Sequence, residues 1–296
     1  MDNFISHTPN FFDDEPAERT KAMARSLGNR VLSGICITLS LLTLVPLISI
    51  VWLVLKNGLP LLNFSVFTEL PPAAGMVGGG FGNAVIGTLV MVGIGLILAA
   101  PVGILSAIYI NEYSPTSRLA KAVRLVAKLL TGIPSIICGV FAFAVVVAAT
   151  GSFSAYAGGV ALAVLMLPTI LLTSEQALIG VQNAYREASY GLGATKFQTI
   201  SRIALPDALS AIMTGIMLAV ARAAGETAPL IFTALFSQFW AKSLSEPTAS
   251  LSVLIYNFST VPFPHQLEMA WTASLVLVAF VTVANIASQL AFSKKE

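Results

Sequence analysis

The chain has 296 residues, 56% of them hydrophobic and only 10% charged, with a mean hydropathy of +0.85. Soluble domains carry about 25% charged residues, so an ordinary soluble enzyme is excluded, and a net charge of +2 is too small to indicate a nucleic-acid partner. Recurrent apolar runs of span length indicate an all-α, polytopic membrane protein.

Residues 1–30 read as a polar tail with an acidic cluster, Asp13, Asp14 and Glu15, and lack the shape of a signal peptide. Six apolar runs follow, at 31–55, 83–110, 129–149, 155–174, 208–236 and 270–291, each long enough for a transmembrane helix. They set out a six-span domain over 31–296. With the N-terminus inside, thirteen of the sixteen Lys and Arg residues fall on the inner side, among them Arg118, Lys121, Arg124, Lys128 and Arg186. Only Lys56 and Lys242 fall outside, and Arg222 lies within a span. This asymmetry predicts two cytoplasmic termini.

The loop before the second span, "PPAAGMVGGGFGN", reads as a tight glycine turn with Asn83 as the N-cap of the next helix. Its consecutive amides leave an anion site open as an alternative. In the third run, "LLTGIPSII" predicts a bent helix whose hydroxyls, Ser135 among them, face a polar path. Cys36 and Cys138 lie in apolar runs and read as packing residues.

The segment 175–207 is a long inner loop. Around Glu187 and Ala188 it has a short helical pattern, broken at Gly191 and Gly193. A second pattern at Phe197, Ile200 and Ile203 follows, and Pro206 and Asp207 suit the first turn of the fifth span. Such an elbow either docks into a partner or rests on the membrane surface. The spacing Glu187-Ala188-Ser189, Gly193, Leu205-Pro206 resembles the EAA motif of ABC-importer permeases, with Ser189 in place of the usual alanine. That resemblance implies that the loop seats a separate ATPase. The chain has no G-x-x-x-x-G-K-[ST] phosphate loop of its own, so no cofactor is expected on it, with ATP and Mg carried by the partner.

The fifth run holds Arg222 and Glu226. An arginine at mid-span costs about 2.5–3.5 kcal/mol on insertion scales, so it needs a partner or a wet cavity. On a continuous helix Glu226 shares its face, along with Gly215 and Ala219, while Met213, Ile216, Met217 and Val220 face lipid. Either the pair is a static strut, or it lines an ion path. A guanidinium fork suits an oxyanion, and Glu226 would hold Arg222 while the site is empty and release it when the anion arrives.

"ARAAGETAPLIFTAL" resembles the PstA-type permeases of phosphate importers, as do "GNAVIGTL", "GIPSIICGVF" and "FTALFSQFW". The resemblance implies a MetI-like, type I ABC-importer fold and import of inorganic phosphate without catalysis by this chain. It implies four kinds of partner: a PstC-type permease as heterodimer, a PstB-type ATPase dimer, a PstS-type outer binding protein and the lipid bilayer. It places Arg222, Glu226, Thr227 and Ser135 on the substrate path. Permeation of another oxyanion, such as phosphonate or molybdate, stays open, as does a self-contained anion transporter or channel.

Overall fold

A computed structural model describes residues 16–292, except for the side chains of 16–28, 31, 291 and 292; the acidic cluster at 13–15 lies outside the described residues. Among the described residues there is no strand, and five helices are long and apolar enough to cross a membrane, or six if a bent pair counts as one span. The chain divides into two units, residues 1–53 and 54–296.

The first unit consists of most of α1 (Pro16–Gly58). The helix starts inside the segment read as a polar tail. From Leu32 to Leu53 its side chains are exposed along the whole length. Thr38 and Thr43 donate their hydroxyls to the carbonyls of Gly34 and Ser40, which removes their polar cost on an apolar rod. Cys36 is exposed here, so a packing role fits only the buried Cys138.

In the second unit, α2 (Gly82–Tyr113) and α5 (Ala155–Ile179) form the centre. They run parallel: Met91 lies at Gly158, Leu162 at Gly95 and Ile170 at Gly103. A Cβ at Gly103 would sit 2.9 Å from Ile170 and one at Gly95 would sit 3.2 Å from Leu162. Small residues let the backbones close up, and in an apolar solvent such packing is what holds helices together. Between these helices lie α3 (Arg118–Thr131) and α4 (Ser135–Thr150), bent by 106° at Gly132–Pro134. The expected single span at 129–149 is therefore two helices. Pro134 adopts φ −54°, ψ 133°, which ends one helix and lets the next begin. The α3 helix lies against the ends of α2 and α5 through Ala120, Ala127, Ile110 and Leu171.

After α5 come α6 (Asn183–Gly191) and α7 (Lys196–Ala224). The expected fifth span, 208–236, is displaced toward the N-terminus. The helix begins at Lys196 and absorbs the second arm of the elbow through a π turn at Ile200–Ala204. Pro206 follows that wide turn, which accommodates a residue with no N–H to donate. At the other end α7 stops at Ala224, and the chain continues through a short α8 (Ala228–Ile231), a loop, α9 (Leu251–Ser259) and the long α10 (Pro264–Phe292).

The glycine loop is a tight turn. The amides of Gly80, Phe81 and Gly82 donate to the carbonyls of Leu70, Val66 and Glu69, so none of these three is left for an anion. Asn83 is not the cap. It lies inside α2, and its Nδ2 donates to the carbonyls of Ser237 (2.9 Å) and Phe239 (3.4 Å), tying the helix start to the distant 236–248 loop. One turn further, a Cβ at Gly87 would collide with the Ala249 carbonyl, whereas Gly93 has open space. Gly87→Ala is accordingly expected to destabilise the protein by about 1–3 kcal/mol through overpacking, seen as a lower thermal midpoint in detergent, while Gly93→Ala leaves the midpoint unchanged.

Candidate functional site: a helix end beside Arg222 and Glu226

Gly215 packs on Thr173 of α5, and Leu230 and Ala234 pack on Gly158. The two helices are thus antiparallel, and Ala224, about 14 Å beyond Gly215 along the axis, ends α7 near the middle of α5. A helix that stops at this depth leaves carbonyls without intrahelical donors. The amides of Gly225 and Glu226 turn back to the carbonyls of Arg222 and Ala223, both at 3.2 Å. Ser252, at the start of α9, donates its hydroxyl to the Glu226 carbonyl at 2.7 Å. Ser250 caps α9 and lies 3.2 Å from Ser252, and Thr88 accepts the Leu251 amide at 2.9 Å. Ser252 thus serves the backbone at the break, while Ser250 and Thr88 accept the first amides of α9 and hold that helix beside it.

Arg222 occupies the last turn of α7, where a cation also offsets the negative end of the helix dipole. Its Nε lies 3.6 Å from Glu226 Oε1, an ion pair too long for a hydrogen bond. The pair does not share a helix face as expected, because Glu226 lies beyond the helix end. The predicted lipid face is also overturned. Ile216 and Val220 are buried in the core, whereas Ala211, Thr214, Leu218 and Arg222 form the exposed stripe. The Arg222 side chain is 47% exposed and that of Glu226 16%. Gly215 and Ala219 are small because α5 lies against them, not because they border a solute path.

Thr227 follows directly, half-buried, and its carbonyl accepts the amides of Leu230 and Ile231 to start α8. Across from α8, a Cβ at Gly139 of α4 would come within 2.6 Å of Pro229. Cys138, next to it, is buried within the electrostatic reach of both Glu226 and Arg222. Ser135 opens the same helix one turn earlier and is half-buried. The structure thus brings the bent span and the α7 break together. Leu235 closes the segment in the left-handed region, φ 58°, with its amide on the Leu230 carbonyl.

The elbow residues divide into two groups. Glu187 and Ala188 are exposed on α6, and Pro206 is exposed as well. Ser189 is buried and its hydroxyl meets that of Thr199 at 2.9 Å, so the serine joins the two arms. Gly193, at φ +81°, follows the C-cap Leu192. Its amide donates to Tyr190 and that of Ala194 to Ser189, which is a Schellman ending that favours glycine. Thr195 and Gln198 then start α7 with a reciprocal capping box. Leu205 is half-buried behind the π turn.

Sequence reasoning missed four charged residues near the elbow. Arg124 Nε pairs with Glu175 Oε1 at 2.5 Å, and Arg186 Nη2 pairs with Glu112 Oε1 at 2.7 Å. Arg124 and Arg186 were counted only as inner-side charge. Glu175 lies one residue past the assigned end of its span, and Glu112 two residues past. A carboxylate so close to a span end was the available signal.

Residues 99–294 match the profile of the binding-protein-dependent transport system inner membrane component. The chain belongs to this family, among its PstA-type permeases. It is 38% identical to the phosphate transport system permease protein PstA of Yersinia pestis, over 95% of both chains. It is 37% identical to PstA of Haemophilus influenzae, over 92% of this chain and 96% of that one. A probable PstA of the archaeon Methanocaldococcus jannaschii is 32% identical over 88% of this chain and 92% of that one. Among solved structures, a bacterial alginate ABC transporter chain covers 93% of this chain, with a TM-score of 0.62, 19% identity and 98% of its own length matched. A chain of the MetNI methionine ABC transporter covers 71% of this one, with a TM-score of 0.55, 21% identity and 91% of its own length matched. The last two share the fold, a MetI-like permease bundle. The PstA-type chain is a multi-pass membrane permease of an ABC importer, not an enzyme.

The Ser252 contact is directly testable. Ser252→Ala leaves a buried carbonyl at the α7 break without its donor, which costs about 1–3 kcal/mol. A lower thermal midpoint of the purified protein is expected, and an unchanged midpoint would show that another donor satisfies Glu226.

Proposed function

We propose that this chain is the membrane permease subunit of an ATP-driven importer that carries inorganic phosphate into the cell. One observation carries the reading: a mid-span arginine held loosely by a glutamate at a helix end, in a chain whose relatives along nearly its full length are phosphate permeases. The guanidinium presents planar donors to an oxyanion. At 3.6 Å Glu226 restrains the charge without occupying its hydrogen-bonding fork. An arriving anion takes the place of the carboxylate, and its departure restores the pair. Thr227 and Ser135 supply hydroxyls along the same path. The relatives favour phosphate over phosphonate or molybdate, and over a self-contained channel.

In this reading the exposed stripe of Arg222 faces a second permease of the PstC type, so that the path lies between the two subunits. The α6 elbow seats one ATPase of a PstB-type pair, which carries ATP and Mg, through the exposed Glu187 and Ala188. A PstS-type binding protein delivers phosphate from outside. The Lys and Arg distribution supports α6 and both termini on the cytoplasmic side of the inner membrane.

Arg222→Gln should reduce uptake of radiolabelled phosphate to the level of cells lacking the permease while the assembled complex persists; wild-type uptake by that variant would remove Arg222 from the path. Glu187→Lys should reverse a charge on the docking face and abolish co-purification of the ATPase, or its stimulation by loaded binding protein. Unchanged binding and stimulation would argue that α6 is not the seat.

A further inference from the structure

Two part-buried ion pairs lie near the elbow, and of their four residues Glu175 is the fully buried one. Arg124, on α3, donates Nε to Glu175 of α5, Nη2 to the Ile110 carbonyl at 2.9 Å and Nη1 to the Pro115 carbonyl at 2.8 Å. Arg186, on α6, donates Nη2 to Glu112 at 2.7 Å and to the Leu178 carbonyl at 2.8 Å, and Nη1 to the Val181 carbonyl at 2.7 Å and Asn183 Oδ1 at 3.3 Å. The pattern is reciprocal. One arginine takes a carboxylate from α5 and carbonyls from the end of α2 and the turn after it. The other takes a carboxylate from the end of α2 and carbonyls from the end of α5 and the turn after it. Glu112 sits in the π turn Tyr109–Tyr113 and also accepts from Asn111 Nδ2 at 2.9 Å.

Each arginine belongs to an element that the function needs to move or to hold. Arg186 precedes Glu187 on the proposed ATPase seat. Arg124 is on α3, which continues through the Gly132–Pro134 bend into α4, and Gly139 of α4 rests on Pro229, three residues from Glu226. Withdrawing four charges partly from water is a poor way to gain stability, since apolar side chains of similar volume do as well. It is a good way to fix orientation, because a guanidinium fork bonds several acceptors in one plane.

We propose that this reciprocal arginine clamp is the joint that passes displacement of α6 to the bent span and so to the Arg222–Glu226 turn, with Arg186 and Arg124 as positioning residues for coupling. The inference rests on the reading of α6 as an ATPase seat. The clamp makes α6, α3 and the ends of α2 and α5 move as one body, so that the bend at Gly132–Pro134 is the part left to flex.

The test uses the whole transporter, this chain with its second permease, ATPase and binding protein, reconstituted in liposomes. ATP hydrolysis and uptake of radiolabelled inorganic phosphate are measured together. Paired variants that leave no lone buried charge, Glu112→Leu with Arg186→Met and Glu175→Leu with Arg124→Met, are the main arms. Each is expected to co-purify with the ATPase and hydrolyse ATP, while phosphate moved per ATP falls about ten-fold. Arg186→Lys, which keeps a charge but loses the fork, should fall between the paired variant and the parent. A parental transport ratio in both paired variants overturns the proposal. Loss of assembly in both also overturns it, because the clamp is then a folding element. The parent chain reports on the docking reading itself: absence of co-purified ATPase there overturns that reading and the clamp with it.

Discussion

Where α7 stops at Ala224, midway along α5, backbone groups lose their intrahelical partners. In hydrocarbon an unpaired carbonyl or amide costs several kcal/mol, so irregular backbone survives only where protein groups satisfy it or a water-filled cavity borders it. At the break the amides of Gly225 and Glu226 return to the helix end, and Ser252 of α9 donates its hydroxyl to the Glu226 carbonyl. Ser250 and Thr88 hold α9 at this depth by accepting the amides of Val253 and Leu251. Arg222 and Glu226 stand at the same place because a broken helix end provides both a dipole to offset and the room to turn a charge.

The rest of the bundle positions that break. Parallel α2 and α5, drawn together at Gly95, Gly103, Gly158 and Gly159, give a rigid pair against which α7 and α4 pack. Gly139 lets α4 touch Pro229 and couples the bend at Gly132–Pro134 to the irregular stretch. At the elbow end, the π turns at Tyr109–Tyr113 and Ile200–Ala204 mark where helices leave regular geometry. One carries Glu112 and the other precedes Pro206.

The elbow shows how a motif read as a binding signature is also a folding instruction. Gly193 is a glycine because a Schellman ending puts its φ at +81°. Ser189 joins the arms through Thr199, while Glu187 and Ala188 remain on the outside. The division between residues that build the elbow and residues it presents follows burial, not position in the motif.

Composition and hydropathy alone determined the all-helical membrane class, the approximate spans and the bend at "LLTGIPSII", since each rests on local apolarity or on proline and glycine. The resemblance of the Arg222 segment pointed to the family that the relatives then established. Where α7 ends was decided by the tertiary structure. The run 208–236 stays apolar past Ala224, and hydropathy does not register that the amides of Gly225 and Glu226 turn back on the helix end or that Ser252 of α9 donates to the Glu226 carbonyl. Tertiary packing also redrew the assigned faces of α7: Ile216 and Val220 look lipid-facing on an isolated wheel yet are buried in the core along with Gly215 and Ala219, and the exposed stripe runs through Leu218 and Arg222. The arginine clamp, too, exists only in three dimensions: Arg124 and Glu175, like Glu112 and Arg186, lie far apart in the chain, and only the convergence of α3 and α6 on the ends of α2 and α5 brings each charge to its partner.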